Sequence, residues 1–194
     1  MTRGRLVVMT ALCSLFVTQG SGQGTEPTLE DSMKSIANAL NDRGKISWTE
    51  ELPEVFGVSY TITSSLSEVK ADATACSVSW KGVYTSSDDK LIETYLLKLA
   101  MVSGVRVQPY SEYRKSQAAQ KVEISPETYV VLIKNDDPLA KHREFYHKNK
   151  LKSEPESPDD QEARVLMPDE QTANRLRDAI LRVSKFCAAK KSDP

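Results

Sequence analysis

Glycine, histidine and cysteine are scarce in this chain of 194 residues, and each shortage closes off a class of chemistry. Of eight glycines, only Gly44, Gly57, Gly82 and Gly104 lie beyond residue 24, and they stand far apart. A phosphate cradle needs glycines whose backbone N–H groups can approach an anion closely, so a nucleotide-binding loop is not expected. The two histidines, His142 and His147, are five residues apart, which puts them on opposite faces of a strand. His142, Glu144 and Tyr146 would share one face, too few ligands for a resident metal. The aspartate pairs match no calcium loop, and no cofactor is expected.

Nucleophile patterns are equally thin. No G-x-S-x-G occurs. Ser67–Lys70 and Ser87–Lys90 fit S-x-x-K, but neither falls on a helical pattern that would bring the lysine one turn from its serine. Long apolar runs are missing too, with one exception at the start. Arg3 and Arg5 precede an apolar core from Leu6 to Val17, followed by the small residues "TQGSGQG". Those twelve apolar residues fall short of the roughly 20 that a membrane-spanning helix needs, and the arrangement reads as a secretory signal peptide over residues 1–24. The expected location is secreted or periplasmic, with no transmembrane segment in the mature chain.

Removal of that leader takes two arginines and no acid from 26 basic and 27 acidic side chains, leaving a formal charge of −3. A dedicated nucleic-acid binder carries a strongly basic face, so nucleic acid is not an expected partner. About 170 residues remain, one domain of ordinary size. Of the three cysteines, Cys13 lies in the leader, leaving Cys76 and Cys187. In an oxidising compartment two lone cysteines are expected to pair; the alternative is two buried, inert thiols. A loop of more than a hundred residues closed in this way is worth about 4–5 kcal/mol in the chain-entropy model.

The remaining sequence is patterned. "TLEDSMKSIANALNDRG" sets Thr28 against Asp31 as a capping pair, repeats Leu29, Met33, Ile36, Ala37 and Leu40 at helical spacing, and stops before Gly44. From Lys45 the period becomes two: Ile46 and Trp48, then Val58, Tyr60, Ile62 and Leu66, then Cys76, Val78 and Trp80. "SSDDK" reads as a hairpin turn into "LIETYLLKLAMVS", which also fits helical spacing but is taken as strand because a hairpin connection is short. "GVRVQPY", "QKVEI" and "TYVVLIKN" continue the strands, the last apolar enough to lie centrally in a sheet. "HREFYHKN" predicts a further strand in a long hairpin, "SEPESPDD" a mobile loop, and "EARVLMP" a final strand. Asp169 then caps a closing helix whose Ala173, Leu176, Ala179, Ile180, Val183 and Cys187 form one stripe. Cys187 therefore points to the sheet, where Cys76 also sits on an apolar face. Trp48 and Trp80 are expected as core anchors.

A helix, about seven short strands and a closing helix, in that order, resembles pleckstrin-homology-like barrels. The pieces "TLEDSMKSIANALNDRG", "CSVSW" and "DEQTANRLRDAILRVSKFC" are similar to those of uncharacterised secreted bacterial proteins in which an N-terminal helix precedes such a barrel. The resemblance implies an α+β fold: a partly open, PH-like β-barrel of about seven antiparallel strands, capped by the C-terminal helix. Its divisions would be a signal peptide (1–24), an N-terminal helix (25–44), the barrel with its helix (45–188) and a tail (189–194). A fold of this kind implies no activity.

One local feature departs from that frame. Lys141, His142, Arg143, His147, Lys148 and Lys150 crowd together around Phe145 and Tyr146, and the acids Glu154, Glu156, Asp159 and Asp160 follow. A basic, aromatic-bearing hairpin can touch an anionic surface; alternatively its basic and acidic halves neutralise each other. The expected function is a non-enzymatic, monomeric binding or interaction module whose partner is a protein, peptide or envelope component. A hydrolase with acidic residues in a barrel-edge cleft is the alternative.

Overall fold

A computed structural model describes residues 27–52, 58–117, 122–153 and 161–191. The expected signal peptide and residues 154–160 of the "SEPESPDD" loop lie outside the described residues. The first helix, α1 (Leu29–Asp42), begins where the capping pair predicts: the Thr28 hydroxyl accepts from Asp31 N at 3.1 Å, and the Asp31 carboxylate accepts from Thr28 N at 3.3 Å. It ends ahead of Gly44, whose φ of +65° suits a residue without Cβ just past a helix end. Met33, Ile36 and Leu40 are buried along one stripe.

All the strand pairing is antiparallel and divides into two sheets. The larger joins β1 (Ile46–Leu52), β2 (Val58–Asp72), β3 (Ser77–Ser86), β4 (Asp89–Lys98), β6 (Glu123–Ser125), β8 (Ala140–His147) and β9 (Lys150–Ser153), in the order β6-β1-β2-β3-β4-β8-β9. The smaller sets β7 (Tyr129–Asn135) between β5 (Val102–Pro109) and β10 (Glu162–Met167). As its unbroken apolar run predicts, β7 is central, with Val130 to Ile133 all buried. The closing helix α3 (Glu170–Lys191) starts on Asp169, whose carboxylate accepts from Thr172 N at 2.7 Å.

Three features correct the expected outline. The described residues contain ten strands rather than about seven. Their two sheets share no pairing and no closed barrel forms, which leaves the expected openness of the fold unchallenged. The run "LIETYLLKLAMVS" is strand only to Lys98; a 3-10 turn at Leu99–Met101, held by Leu99 N donating to Cys76 O at 2.9 Å, carries the chain from one sheet to the other. Its mixed periodicity marks that corner. The third difference is a short helix, α2 (Tyr110–Gln117), which the patterning does not announce.

The main core lies where α1 and α3 meet the sheets. It gathers Met33, Ile36 and Leu40 with Trp80, Leu97, Leu99, Ile133, Leu176 and Ile180. Cys76 and Cys187 belong to it, with sulfurs at disulfide distance and Cα atoms 5.8 Å apart. A smaller cluster under α2 holds Ile46, Trp48, Tyr113, Val130, Leu132 and Leu166. Buried with them among the described residues are several polar side chains, including Arg43, Glu50, Ser64 and Glu93.

Candidate functional site

Strand alternation splits the basic hairpin. Directly opposed residues of an antiparallel pair share a face, and the register sets Lys141 against Tyr95, Arg143 against Glu93 and Phe145 against Leu91. These three point inward. Outward go His142, Glu144 and Tyr146, which do share a face: Glu144 contacts His142 Nε2 at 3.2 Å and accepts from the Tyr146 hydroxyl at 2.8 Å. At the far end His147 pairs with Asp89 at 2.7 Å and Lys148 lies 3.9 Å from Asp88. The acids that answer this basic stretch therefore include several on β4 and its turn, and the eight candidate residues do not form one surface. Lys150 is exposed in the β8–β9 turn region.

Inside, Lys141 and Arg143 converge on Glu93, which is 0% exposed. Its Oε1 lies 3.0 Å from Arg143 Nε, 3.7 Å from Lys141 Nζ and 3.1 Å from Arg164 Nη2, while Oε2 accepts from the Tyr95 hydroxyl at 2.9 Å. A lone buried carboxylate would be strongly disfavoured; opposite charges and a hydroxyl donor hold this one in place. Burial and the neighbouring Glu93 charge raise the Tyr95 phenol well above its ordinary range. Burial pulls Arg164 down, but Glu93 together with Tyr84, Tyr95 and Tyr113 more than offsets it, so the group ends above the usual arginine value.

A second buried glutamate repeats the device near α2. Glu50, 1% exposed, accepts from Trp48 Nε1 at 3.1 Å and from Arg114 Nε and Nη2 at 3.2 and 2.9 Å. Arg114 stands on α2, which is fixed from a distance: Tyr110 N donates to Thr128 O at 2.7 Å and Ser111 N to the Glu127 carboxylate at 3.1 Å. Tyr110 packs edge-on against Trp48 with ring centroids 5.3 Å apart, and Tyr113 stacks on Tyr110 at 5.9 Å. Tyr113 in turn accepts from Arg164 Nη1 at 3.3 Å, linking the two glutamate clusters.

Between these clusters opens a cleft of about 250 Å³. Trp48, Tyr60, Tyr84 and Tyr110 form its aromatic walls, Ile62, Leu91 and Leu166 its apolar ones, and Glu50, Arg114 and Arg164 its charged ones. The register explains the wall: Trp48 opposes Ile62 and Glu50 opposes Tyr60 on neighbouring strands. Behind it, Arg43 donates to Leu166 O at 2.8 Å and to the Ser64 hydroxyl at 2.9 Å, two neutral acceptors. Burial pulls this guanidinium down to about 10. Burial also raises the Tyr110 and Tyr84 phenols, helped by Glu50 and Glu93 respectively.

Trp48 and Trp80 are buried anchors as expected, Trp80 stacking on Tyr95 at 5.0 Å. The two S-x-x-K hits fall on a strand bulge and a turn, away from any helix. No group of three or more metal-ligating side chains occurs among the described residues, and no described helix is long and apolar enough to cross a membrane. Another depression, between α1 and α3, is lined by mixed charges including Asp42, Arg175, Asp178 and Arg182. Strand alternation already marked Trp48, Tyr60 and Ile62 for one face. Arg114 and Arg164 gave no signal, because their partners lie 64 and 71 residues away. In comparisons with known proteins the chain matches no family model, no curated protein and no solved structure.

Proposed function

We propose that the chain is a non-enzymatic binding module working outside the cytoplasm, built on a PH-like scaffold, with the Trp48–Tyr110 cleft as its ligand site. One observation carries this: the cleft combines four aromatic walls with a glutamate that is already held by its neighbours and with the partly exposed guanidinium groups of Arg114 and Arg164. Glu50 is held by Arg114 and Trp48, and Glu93 by three cations and a phenol. Burial raises the Tyr84 and Tyr110 phenols, away from neutrality. Among the described residues, no serine, cysteine or histidine lines the cleft. General acid–base work needs a carboxylate free to take up and release a proton, whereas the Glu50 carboxylate in this wall is occupied by Arg114 and the Trp48 indole N–H. That favours binding over a hydrolase with an acidic cleft.

The exported location is supported by the cysteine pair at disulfide distance. The two antiparallel sheets with a closing helix support the PH-like description. Native mass spectrometry of the chain, after exposure to small-molecule extracts of its native culture, tests the function. The expected result is a retained small molecule, released with its mass unchanged after prolonged incubation and lost in Tyr110→Ala. Release of a cleaved or otherwise altered molecule would establish catalysis and overturn the reading.

A further inference from the structure

Relative exposure decides which charge a visitor to this cleft meets. The side chains of Glu50 and Glu93 are 1% and 0% exposed, whereas those of Arg114 and Arg164 are each 28% exposed. The carboxylates thus lie behind the guanidinium groups, and the open side of each pair is cationic. Each guanidinium has five N–H donors in a planar fork. Arg114 directs Nε and Nη2 to Glu50, and Arg164 directs Nη1 to Tyr113 and Nη2 to Glu93. Both forks retain donor capacity beyond these bonds.

The local balance has the same sign. Among the described residues, Arg114 pairs with Glu50, and Lys141, Arg143 and Arg164 converge on Glu93, so four cations answer two carboxylates, while Arg43 nearby bonds to neutral oxygens. This positive interior belongs to a chain whose overall formal charge is −1, so it is not a reflection of bulk composition. Charge in a low-dielectric wall acts more strongly than the same charge in water. The volume of about 250 Å³ is below the roughly 300–1,000 Å³ of drug-sized pockets, which limits the ligand to about one or two rings.

We infer that the cleft selects a small planar anion: an aromatic carboxylic acid whose ring lies among Trp48, Tyr60, Tyr84 and Tyr110 and whose carboxylate meets the open sides of Arg114 and Arg164. Planar forks favour a carboxylate through paired N–H donors. This rests on the cleft being a binding site, and adds the charge and shape of what enters.

The test is a titration of the full mature chain with naphthalene-2-carboxylate and, separately, naphthalene-2-carboxamide, followed by the NMR cross-peaks of the Trp48 indole N–H and the Arg114 and Arg164 Nε–H groups. The acid is expected to bind at least about tenfold more tightly than the neutral amide, the scale of one charge-assisted hydrogen bond, and to lose that advantage progressively as salt is added. In Arg114→Lys, which keeps a cation opposite Glu50 but loses the fork, the preference should shrink. Equal affinity for acid and amide overturns the charge selection while leaving the cleft a binding site. No shift with either compound up to about 10 mM overturns both readings, and shifts confined to the α1–α3 depression overturn the location. The comparison on the unaltered chain stands even if the variant fails to fold.

Discussion

Buried Tyr95, half-buried Tyr84 and Tyr110, and buried Arg43 set how this protein responds to alkali. Burial is the main cause that raises Tyr84, Tyr95 and Tyr110, with nearby glutamate charge adding to it. The unfolded chain releases these protons near pH 10, while the folded chain still holds them. The stability they contribute is complete below pH 10 and is lost as pH rises from there towards the folded values. Arg43 runs the other way: burial lowers it to about 10 from 12.5, so the folded chain sheds that proton first and gains stability over the same window. Three groups act against one. Urea midpoints are therefore expected to fall between about pH 9 and about pH 11, with tyrosinate absorbance appearing together with unfolding; a flat or rising midpoint would contradict the burial of these phenols. At this scale the sequence was only partly readable. Trp48 and Trp80 showed their burial through alternation, but Glu50, Glu93 and Arg43 look like any surface charge until strands far apart in the chain enclose them.

Elements form where local signals agree, and they surprise where the signal is remote. Both long helices start on side chains that satisfy their own first turn, Thr28 for α1 and Asp169 for α3. Replacing Asp169 with Ala should cost about 1 kcal/mol, read as a lower urea midpoint with the slope unchanged, whereas Asp169→Asn should keep most of the cap. An unchanged midpoint in Asp169→Ala would remove that role. The helix α2 was not legible because Glu127 and Thr128, more than a dozen residues onward, hold its first turn. The hairpin β8–β9 was legible as a hairpin, but where its charges go depends on alternation rather than on their order along the chain. A period of two sends Lys141 and Arg143 inward to Glu93 and sends His142 and Tyr146 outward.

The molecule as a whole is tied across its length by one cysteine pair, which links the end of α3 to the residue just before β3 over a sequence separation of 111. A loop of that size restricts the unfolded chain by about 4–5 kcal/mol, so reduction and alkylation should lower the urea midpoint by a corresponding amount. Two freely alkylated thiols in the native oxidised protein would refute the pairing. That the two cysteines lie on facing apolar surfaces was readable, because periodicity alone puts Cys187 on the buried stripe of its helix and Cys76 on a buried strand end. Local patterning also determined the mixture of helix and strand, both capped helices and the central place of β7, since each depends on side chains a few residues apart. The sheet-to-sheet corner at Leu99–Met101, the open two-sheet arrangement, the placing of α2 and the cleft with its inward carboxylates and outward guanidinium groups came only with the tertiary structure. Those depend on which distant backbones become neighbours, and a charge does not reveal along the chain which other charge will be folded against it.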